Sequence, residues 1–299
     1  MERPEWPGLV LNDWLDTYQT LHLWTQVVGK IRMALSPELN HWWHSTLYVN
    51  TRGLTTSPIP CGSGLFEIQF DFLEHRLEIQ TSEGGRRLLP LEPRSVAAFY
   101  RSLMEMLAEL GIACAINTKP QEIADPVPFE RDEQHGTYDA EYARRFWRIL
   151  ISTSQVMQEF RSRFIGKCSP VHFFWGSFDL ACTRFSGRLA VPPRTGVITA
   201  PAYSHEVISA GFWPGAGFTG PAFYAYAAPS PAGLEAEAVR PAAAGWNRQL
   251  SEFILMYDDI RGLDRPGEEL LKFLESTYAA AARLANWDRG ALERPPKAR

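Results

Sequence analysis

An internal repeat constrains the fold of this 299-residue chain more than any other feature. In each half a helical apolar stripe, over residues 14–35 and 140–167, is followed by Gly-Lys, Ser-Pro, a histidine, an aromatic pair and a strand pattern. The first strand of each repeat is expected over residues 42–50 and 173–182. Further strand and helix patterns then follow in the same order, which predicts two α-β-β-β-β-α units. We expect an α+β fold in which these repeats are related by a pseudo-twofold, with antiparallel sheets flanked by helices.

The loops between these patterns predict the domain boundaries. The first repeat is expected over residues 1–118 and the second, with the candidate site, over residues 139–290. Residues 119–138 carry three prolines and several acidic residues, which is typical of a surface linker. The basic tail, residues 291–299, is expected to be disordered.

Composition excludes several classes of protein. Hydrophobic residues make up 45% and charged residues 21%, which is ordinary for a globular chain, and the net charge of −4 provides no footprint for nucleic acid. No apolar stretch is long enough to span a membrane, and the N-terminus lacks a signal-peptide pattern. Four cysteines without a CxxC pair favour reduced thiols in a cytoplasmic protein. The oligomeric state stays open.

The two halves differ in the pattern of their strands. Residues 66–72, FEIQFDF, alternate between apolar and polar, which predicts a sheet with one face in water. The corresponding strands of the second half are apolar or aromatic on both faces, which predicts a sheet buried on both sides. Polar residues inside this second sheet therefore need an explanation.

Asp179 is the most unexpected of these polar residues. It lies in an apolar run, and an unpaired ionised carboxylate costs several kcal/mol to bury. Strand alternation places it on one face with Trp175 and Ser177. If the next strand is an antiparallel neighbour, His205 approaches Asp179, and the pair is suited to general-base catalysis. A buried pair that only satisfies two polar groups is an equally weighted alternative.

The equivalent strand of the first repeat supplies a second set of candidates. Strand alternation places His44, Tyr48 and Arg52 on one face of that strand, and we expect His44 and Arg52 to reach the site from this copy. Arg52 and Arg184 could bind a substrate carboxylate or phosphate, although an internal salt bridge to Asp179 or Glu206 is the alternative and is favoured for Arg184.

Aromatic residues provide candidate walls for an apolar substrate pocket. We assign Trp175, Trp213 and Tyr224 to these walls and Ser177 to its polar lining. A plain core position is the competing interpretation, and it is favoured for Trp213.

Two motifs do not support their usual functions. GAGFTG, residues 215–220, matches GxGxxG, but Pro221 and a strand pattern follow where a dinucleotide site needs a helix, so we expect a turn and no dinucleotide. HEVIS, residues 205–209, lacks the second histidine of HExxH. Strand alternation also separates His172, Asp179, His205 and Glu206, so no metal ligand is assigned, although a bulge could reunite these four.

Three long stretches resemble a known family: SPVHFFWGSFDLACTRFSG, NHWWHSTLYVNTRGLTTSPIP and YSHEVISAGFWPG. They are similar to a bacterial family of about this length, a domain of unknown function, and the resemblance extends from near Trp6 to Asp288. It implies a bacterial, cytoplasmic protein of a single family. It implies no activity, and no catalytic residue is assigned through it.

Together these observations predict an enzyme that acts on a small organic molecule by acid–base chemistry in a cleft between the two repeats. Asp179 orients, His205 carries the proton, and His44 is the third catalytic candidate. The alternatives are a non-catalytic protein that binds a small ligand, a metal-dependent enzyme with histidine and carboxylate ligands, and a structural role. No nucleic-acid or membrane partner is expected, and the cofactor is unknown.

Overall fold

The structure, a computed structural model, describes residues 5–215 and 220–295. The chain divides into two compact units. The N-terminal unit comprises Leu9–Trp147 and Phe173–Phe178, and the C-terminal unit comprises Met1–Gly8, Arg148–His172 and Asp179–Arg299. The linker predicted for residues 119–138 lies wholly within the N-terminal unit, and the division falls inside a helix instead.

Helices and strands follow one another along the described chain without a single dominant type. In chain order they are α1 (Leu11–Leu35), β1 (Tyr48–Val49), β2 (Gly53–Thr55), β3 (Ile59–Cys61), β4 (Gly64–Asp71), β5 (Arg76–Thr81), β6 (Arg86–Pro90), α2 (Val96–Glu109), α3 (Ala140–Ser162), β7 (His172–Phe174), β8 (Asp179–Leu189), α4 (Thr199–Ala202), β9 (His205–Trp213), β10 (Ala222–Ala228), β11 (Gly245–Asn247), β12 (Glu252–Met256), α5 (Tyr257–Arg261), α6 (Pro266–Leu284) and α7 (Arg289–Leu292).

The N-terminal unit is built on α1 and an antiparallel sheet. Helix α1 is buried on all sides along its second half. It ends at Leu35, and the next residue, Ser36, has the extended backbone that is favoured before a proline such as Pro37. The sheet has the order β1-β2-β4-β5-β6, and β3 also pairs with β4. Along β4, Phe66 and Ile68 are buried while Glu67 between them is half-buried, so the alternation read from the sequence is confirmed.

The C-terminal unit contains the second antiparallel sheet, in the order β11-β12-β10-β9-β8-β7. One face is apolar and includes Phe212, Phe223 and Leu255. Helix α6 begins with Pro266 in its first turn, where a missing backbone N–H costs nothing. All residues of β9 from Val207 to Phe212 are buried, so the expectation of a sheet buried on both faces holds for its central strand.

The fold class is confirmed, but the first strand of each repeat is not as expected. Two antiparallel six-stranded sheets accompany the helices, so the fold is α+β. Over residues 42–50 only Tyr48–Val49 is a strand, and a 3₁₀ turn precedes it. The strand expected over residues 173–182 is interrupted by a turn at Trp175–Phe178, where Phe178 has a φ of 57°. The pseudo-twofold stays a prediction.

The C-terminal segment carries the short helix α7, and residues 296–299 of the predicted disordered tail lie outside the described residues. None of the helices described in the structure combines the length and the apolar character that crossing a membrane requires.

Candidate functional site

Hydroxyl and carboxyl groups concentrate on one face of the second sheet. Side chains alternate along a strand, so every second residue of β8, β9, β10 and β12 points to the same side. The register pairs Thr183 with Ser209, Ser209 with Tyr226, and Gly211 with Tyr224. We call this side the polar face. It carries Asp179, Thr183, Ser209, Gly211, Trp213, Tyr224, Tyr226 and Glu252, together with small and apolar residues such as Ala181, Ala222 and Ile254.

A hydrogen bond between Tyr224 and Asp179 crosses the middle of this face. Asp179 is only 6% exposed, and the hydroxyl of Tyr224 donates to its carboxylate. The two residues lie on β10 and β8, which β9 separates, so the phenol must pass over Gly211. A Cβ at Gly211 would lie 2.3 Å from the Tyr224 hydroxyl oxygen. The glycine therefore makes room for the bond that stabilises the buried carboxylate.

The remaining hydroxyl groups form a connected line beside this bond. Thr183 Oγ1 and Ser209 Oγ are 2.8 Å apart, and Ser209 also bonds the hydroxyl of Tyr226. The Tyr226 hydroxyl lies 3.0 Å from that of Tyr203. The ring of Tyr224 stacks on that of Tyr226, with centroids 6.1 Å apart and planes 18° apart. The line thus runs from Thr183 to Tyr203 across three strands.

A cavity of about 220 Å³ adjoins the Tyr203 end of this line. Its walls include Tyr203, Arg194, Ser230 and neighbouring prolines. The guanidinium carbon of Arg194 lies 5.8 Å from the ring centroid of Tyr203. The cavity therefore combines an aromatic wall, a cation and hydroxyl groups, which is the lining that a small polar organic molecule needs.

Burial and charge make Glu252 titrate near neutrality. Its pKa is raised from 4.5 to about 7, first because burial disfavours the carboxylate and second because the charge of Asp179 is near. Burial and the Asp179 charge also raise the pKa of Tyr224 well above 10, so its phenol stays protonated and acts as a donor. Glu252 is therefore the group of the polar face that can exchange a proton at neutral pH.

The predicted approach of His205 to Asp179 is wrong. The register places His205 opposite Leu189, whereas Leu180, the neighbour of Asp179, pairs with Phe212. His205 and Phe212 are seven residues apart on β9, which corresponds to roughly 23 Å at the rise of a strand. Asp179 and His205 both lie in strands, as expected, but the antiparallel pairing of β8 and β9 places the two residues at opposite ends of the pair.

Trp175 and Ser177 lie in the turn that interrupts the predicted strand, so alternation does not extend from them to Asp179. The indole of Trp175 is buried, donates to the Ser45 carbonyl at 2.6 Å, and lies against Gly29 of α1. Trp175 is thus a core residue of the N-terminal unit, which was the competing interpretation.

His44 and Tyr48 also have structural partners in the N-terminal unit. His44 is buried, and its Nδ1 accepts the backbone N–H of Leu39 at 3.1 Å. Arg32 donates to the His44 carbonyl at 2.9 Å and lies over the Tyr48 ring at 5.3 Å. Both residues therefore have structural contacts inside the N-terminal unit.

The two candidate arginines form internal ion pairs. Arg52 Nε lies 2.6 Å from the carboxylate of Asp71, whose side chain is fully buried. Arg184 is 1% exposed, stacks on Phe160 and pairs with Glu275 at 3.5 Å. Arg184 therefore forms an internal ion pair, as expected, but its partner is Glu275 instead of Asp179 or Glu206.

Trp213 lies on the polar face. It ends β9 directly opposite Ala222, and because Leu180 pairs with Phe212, Trp213 is level with Asp179 on the polar face. Three predicted residues, Asp179, Trp213 and Tyr224, thus share this face in the C-terminal unit.

The glycine-rich motif and the metal candidates give no additional site. Residues 216–219 of the motif lie outside the described residues, and the element that follows them is strand β10 instead of a helix. Glu206 accepts a hydrogen bond from Arg188 at 2.7 Å. In the parts of the chain that the structure describes, no group of three or more His, Cys, Asp or Glu side chains could hold a metal ion.

Sequence reasoning missed Glu252, Tyr226, Tyr203 and the Thr183–Ser209 pair as members of this site. A signal was present for two of them, because Tyr224 and Tyr226 are two apart in one strand and Glu252 alternates with Ile254. The sequence patterns did not reveal which strands are neighbours or in what register they pair.

Comparisons with known proteins place the chain in a family without assigning an activity. No significant match was found among curated proteins or among solved structures. The model of one family matches residues 6–294, nearly the whole chain. The protein therefore belongs to DUF5996, a family of unknown function.

Proposed function

We propose that the chain is an enzyme that acts on a small organic molecule by acid–base chemistry on the polar face of the second sheet. The observation that carries this proposal is the buried Asp179 carboxylate, held by Tyr224 on the face that also contains Glu252. Two carboxylates in different environments are a recurrent arrangement in acid–base catalysis, because one remains ionised while the other exchanges protons.

The roles follow from the environment of each group. Asp179 accepts the Tyr224 hydrogen bond, and its negative charge adds to the burial that raises the pKa of Glu252 to about 7. Glu252 donates or removes the proton of the substrate. Tyr224 and Tyr226 remain protonated, since burial raises both pKa values, and they provide hydroxyl donors and an aromatic surface.

Proton exchange with solvent provides an assay that does not require the substrate to be known in advance. The purified chain is incubated in D₂O with a panel of small carbonyl and carboxylic compounds, and deuterium incorporation at carbon is followed by proton NMR. We expect at least one compound to exchange, with a rate limb near pH 7, and we expect Glu252→Gln to abolish the exchange because an amide cannot carry the proton.

Glu235→Gln is the matched control, because Glu235 is an exposed glutamate of the same unit outside the polar face. It should leave the exchange rate unchanged. Exchange that Glu252→Gln leaves intact would contradict the assignment of Glu252, whatever compound supports it.

A non-catalytic ligand-binding protein is the second candidate, and the cavity beside Tyr203 and Arg194 favours it. In that case compounds raise the melting temperature of the chain without any exchange of carbon-bound hydrogen. Arg194→Gln should weaken binding of anionic compounds most, because it removes the cation of the cavity.

A further inference from the structure

Two cysteines of the C-terminal unit lie in contact. The sulfur atoms of Cys168 and Cys182 are 3.7 Å apart, and the backbone of the Cys168 segment pairs with β8 through a bridge between Cys168 and Arg184. Cys182 is fully buried, whereas Cys168 is partly exposed and can be reached from solvent. A disulfide requires the two sulfurs to approach by roughly 1.6 Å from this distance.

The surroundings of Cys168 favour its thiolate. Arg161 bonds the Cys168 sulfur, and Arg184, which is paired with Glu275, adds a second nearby positive charge. The hydrogen bond from Cys182 is the main cause that lowers the pKa of Cys168, and the charges of Arg184 and Arg161 add to it against the effect of burial. The pKa of Cys182 is raised, so it keeps its proton while Cys168 reacts. A partly exposed thiolate beside a buried thiol is the arrangement of an attacking and a resolving cysteine.

We propose that Cys168 and Cys182 form a peroxide-reactive thiol pair, in which Cys168 is oxidised first and Cys182 then closes an intramolecular disulfide. This inference is independent of the proposed acid–base activity. It assigns a modification site whose reagent is hydrogen peroxide or an organic hydroperoxide.

The reaction consumes one peroxide for each pair. The Cys168 thiolate attacks one peroxide oxygen, an S–O bond forms, the O–O bond breaks, and the departing hydroxide takes up a proton to become water. The Cys182 sulfur then attacks the sulfenic sulfur of Cys168. The S–S bond forms as the S–O bond breaks, and the second hydroxide leaves as water with the proton of Cys182. The two sulfurs lose two electrons, which the peroxide gains.

The test treats the reduced full-length chain with hydrogen peroxide, blocks the remaining thiols and maps peptides by mass spectrometry. We expect a peptide that links Cys168 to Cys182 within one chain. Cys182→Ser should stop the reaction at the sulfenic acid of Cys168, which dimedone traps, and Cys168→Ser should abolish the disulfide. If Cys182→Ser does not fold, Cys182→Ala, which fills the buried position without a hydroxyl, replaces it.

The other two cysteines provide internal controls. Cys114 is partly exposed like Cys168, but burial raises its pKa, so iodoacetamide should label Cys168 severalfold faster than Cys114 at neutral pH. Oxidation of Cys61 or Cys114 ahead of Cys168, or the absence of a Cys168–Cys182 link after peroxide treatment, would overturn the proposal.

Discussion

Tyr224 and Asp179 show how a hydrogen bond across a sheet stabilises a buried carboxylate. Asp179 is almost fully buried, and the hydroxyl of Tyr224 reaches it from a strand that is not its neighbour. A buried carboxylate that loses a charge-assisted hydrogen bond is destabilised in a medium of low dielectric constant. The Tyr224 hydroxyl therefore contributes to the free energy of unfolding.

We predict that Tyr224→Phe lowers the free energy of unfolding by about 1–3 kcal/mol, because the carboxylate of Asp179 loses a charge-assisted hydrogen bond. Urea unfolding followed by circular dichroism measures this loss. Tyr142→Phe is the matched control, since Tyr142 donates to Asp13 at 3.3 Å on the surface, where water replaces the lost partner. Equal losses in both variants would contradict the role of burial.

At this scale the sequence identified residues better than it identified partners. Asp179, Trp213 and Tyr224 were predicted and lie on one face, because alternation along a strand is a local property. His205 was predicted beside Asp179 and lies opposite Leu189. The pairing depends on strand register, which sets Leu180 opposite Phe212 and which no local pattern reveals.

At the scale of elements, Gly211 decides whether β8, β9 and β10 can form the site. A methyl group there would lie 2.3 Å from the Tyr224 hydroxyl and 2.5 Å from the Leu180 carbonyl oxygen, so a backbone atom must move. We predict that Gly211→Ala lowers the free energy of unfolding by roughly 1–3 kcal/mol, the usual cost of overpacking. Urea unfolding provides the value.

Gly245→Ala is the control for this prediction. Gly245 also lies in a strand of the second sheet, β11, and a methyl group there meets nothing within 4 Å. It should be neutral or slightly stabilising, because alanine loses less backbone freedom on folding. If Gly211→Ala is as mild as Gly245→Ala, Tyr224 does not need the space above Gly211.

Helices were predicted more reliably than the strands that follow them. The stripes over residues 14–35 and 140–167 correspond to α1 and to α3, although α3 ends at Ser162. The strand expected over residues 173–182 fails because Phe178 adopts a left-handed conformation. A bulky residue at positive φ is rare, so an aromatic run gives no warning of a turn there.

At the scale of the whole molecule, two buried groups give stability opposite dependences on pH. Between pH 4.5 and about 7 the folded chain holds a proton on Glu252 that the unfolded chain has lost, so the free energy of unfolding falls as pH rises. His22 in the N-terminal unit behaves in the opposite way. Burial lowers its pKa from 6.5 to about 4, so the unfolded chain binds the extra proton and stability rises with pH.

We predict that the free energy of unfolding of Glu252→Gln rises by up to about 3 kcal/mol relative to that of the wild type as the pH is raised from 4 to 8, because the amide carries no charge to bury. The free energy of unfolding of His22→Gln should rise by a comparable amount relative to that of the wild type as the pH is lowered from 8 to 4. Urea unfolding of the three chains across this range tests both slopes. A constant difference from the wild type at every pH would contradict the raised pKa of Glu252 or the lowered pKa of His22.

The division of the chain into units could not be read from composition. Prolines and acidic residues predicted a linker over residues 119–138, yet this segment bonds within the N-terminal unit, where Lys30 donates to the carbonyl of Lys119 and Gln26 to that of Gln121. The partners lie about 90 positions earlier in the chain, and a buried lysine and glutamine of α1 hold the segment. Loop composition indicates an irregular backbone and does not indicate what binds it.

Strand β8 presents Asp179 and Thr183 to the polar face and Cys182 and Arg184 to the opposite one. Substitutions in this strand therefore have different consequences from changes in its length. A substitution alters one side of the sheet, whereas insertion or deletion of a single residue between Asp179 and Thr183 would reverse the faces of the residues before the change relative to those after it. Either the buried carboxylate would lose its phenol or the Arg184 guanidinium would leave its aromatic surroundings. The length of this strand is accordingly a stricter requirement of the protein than the identity of any one of its residues.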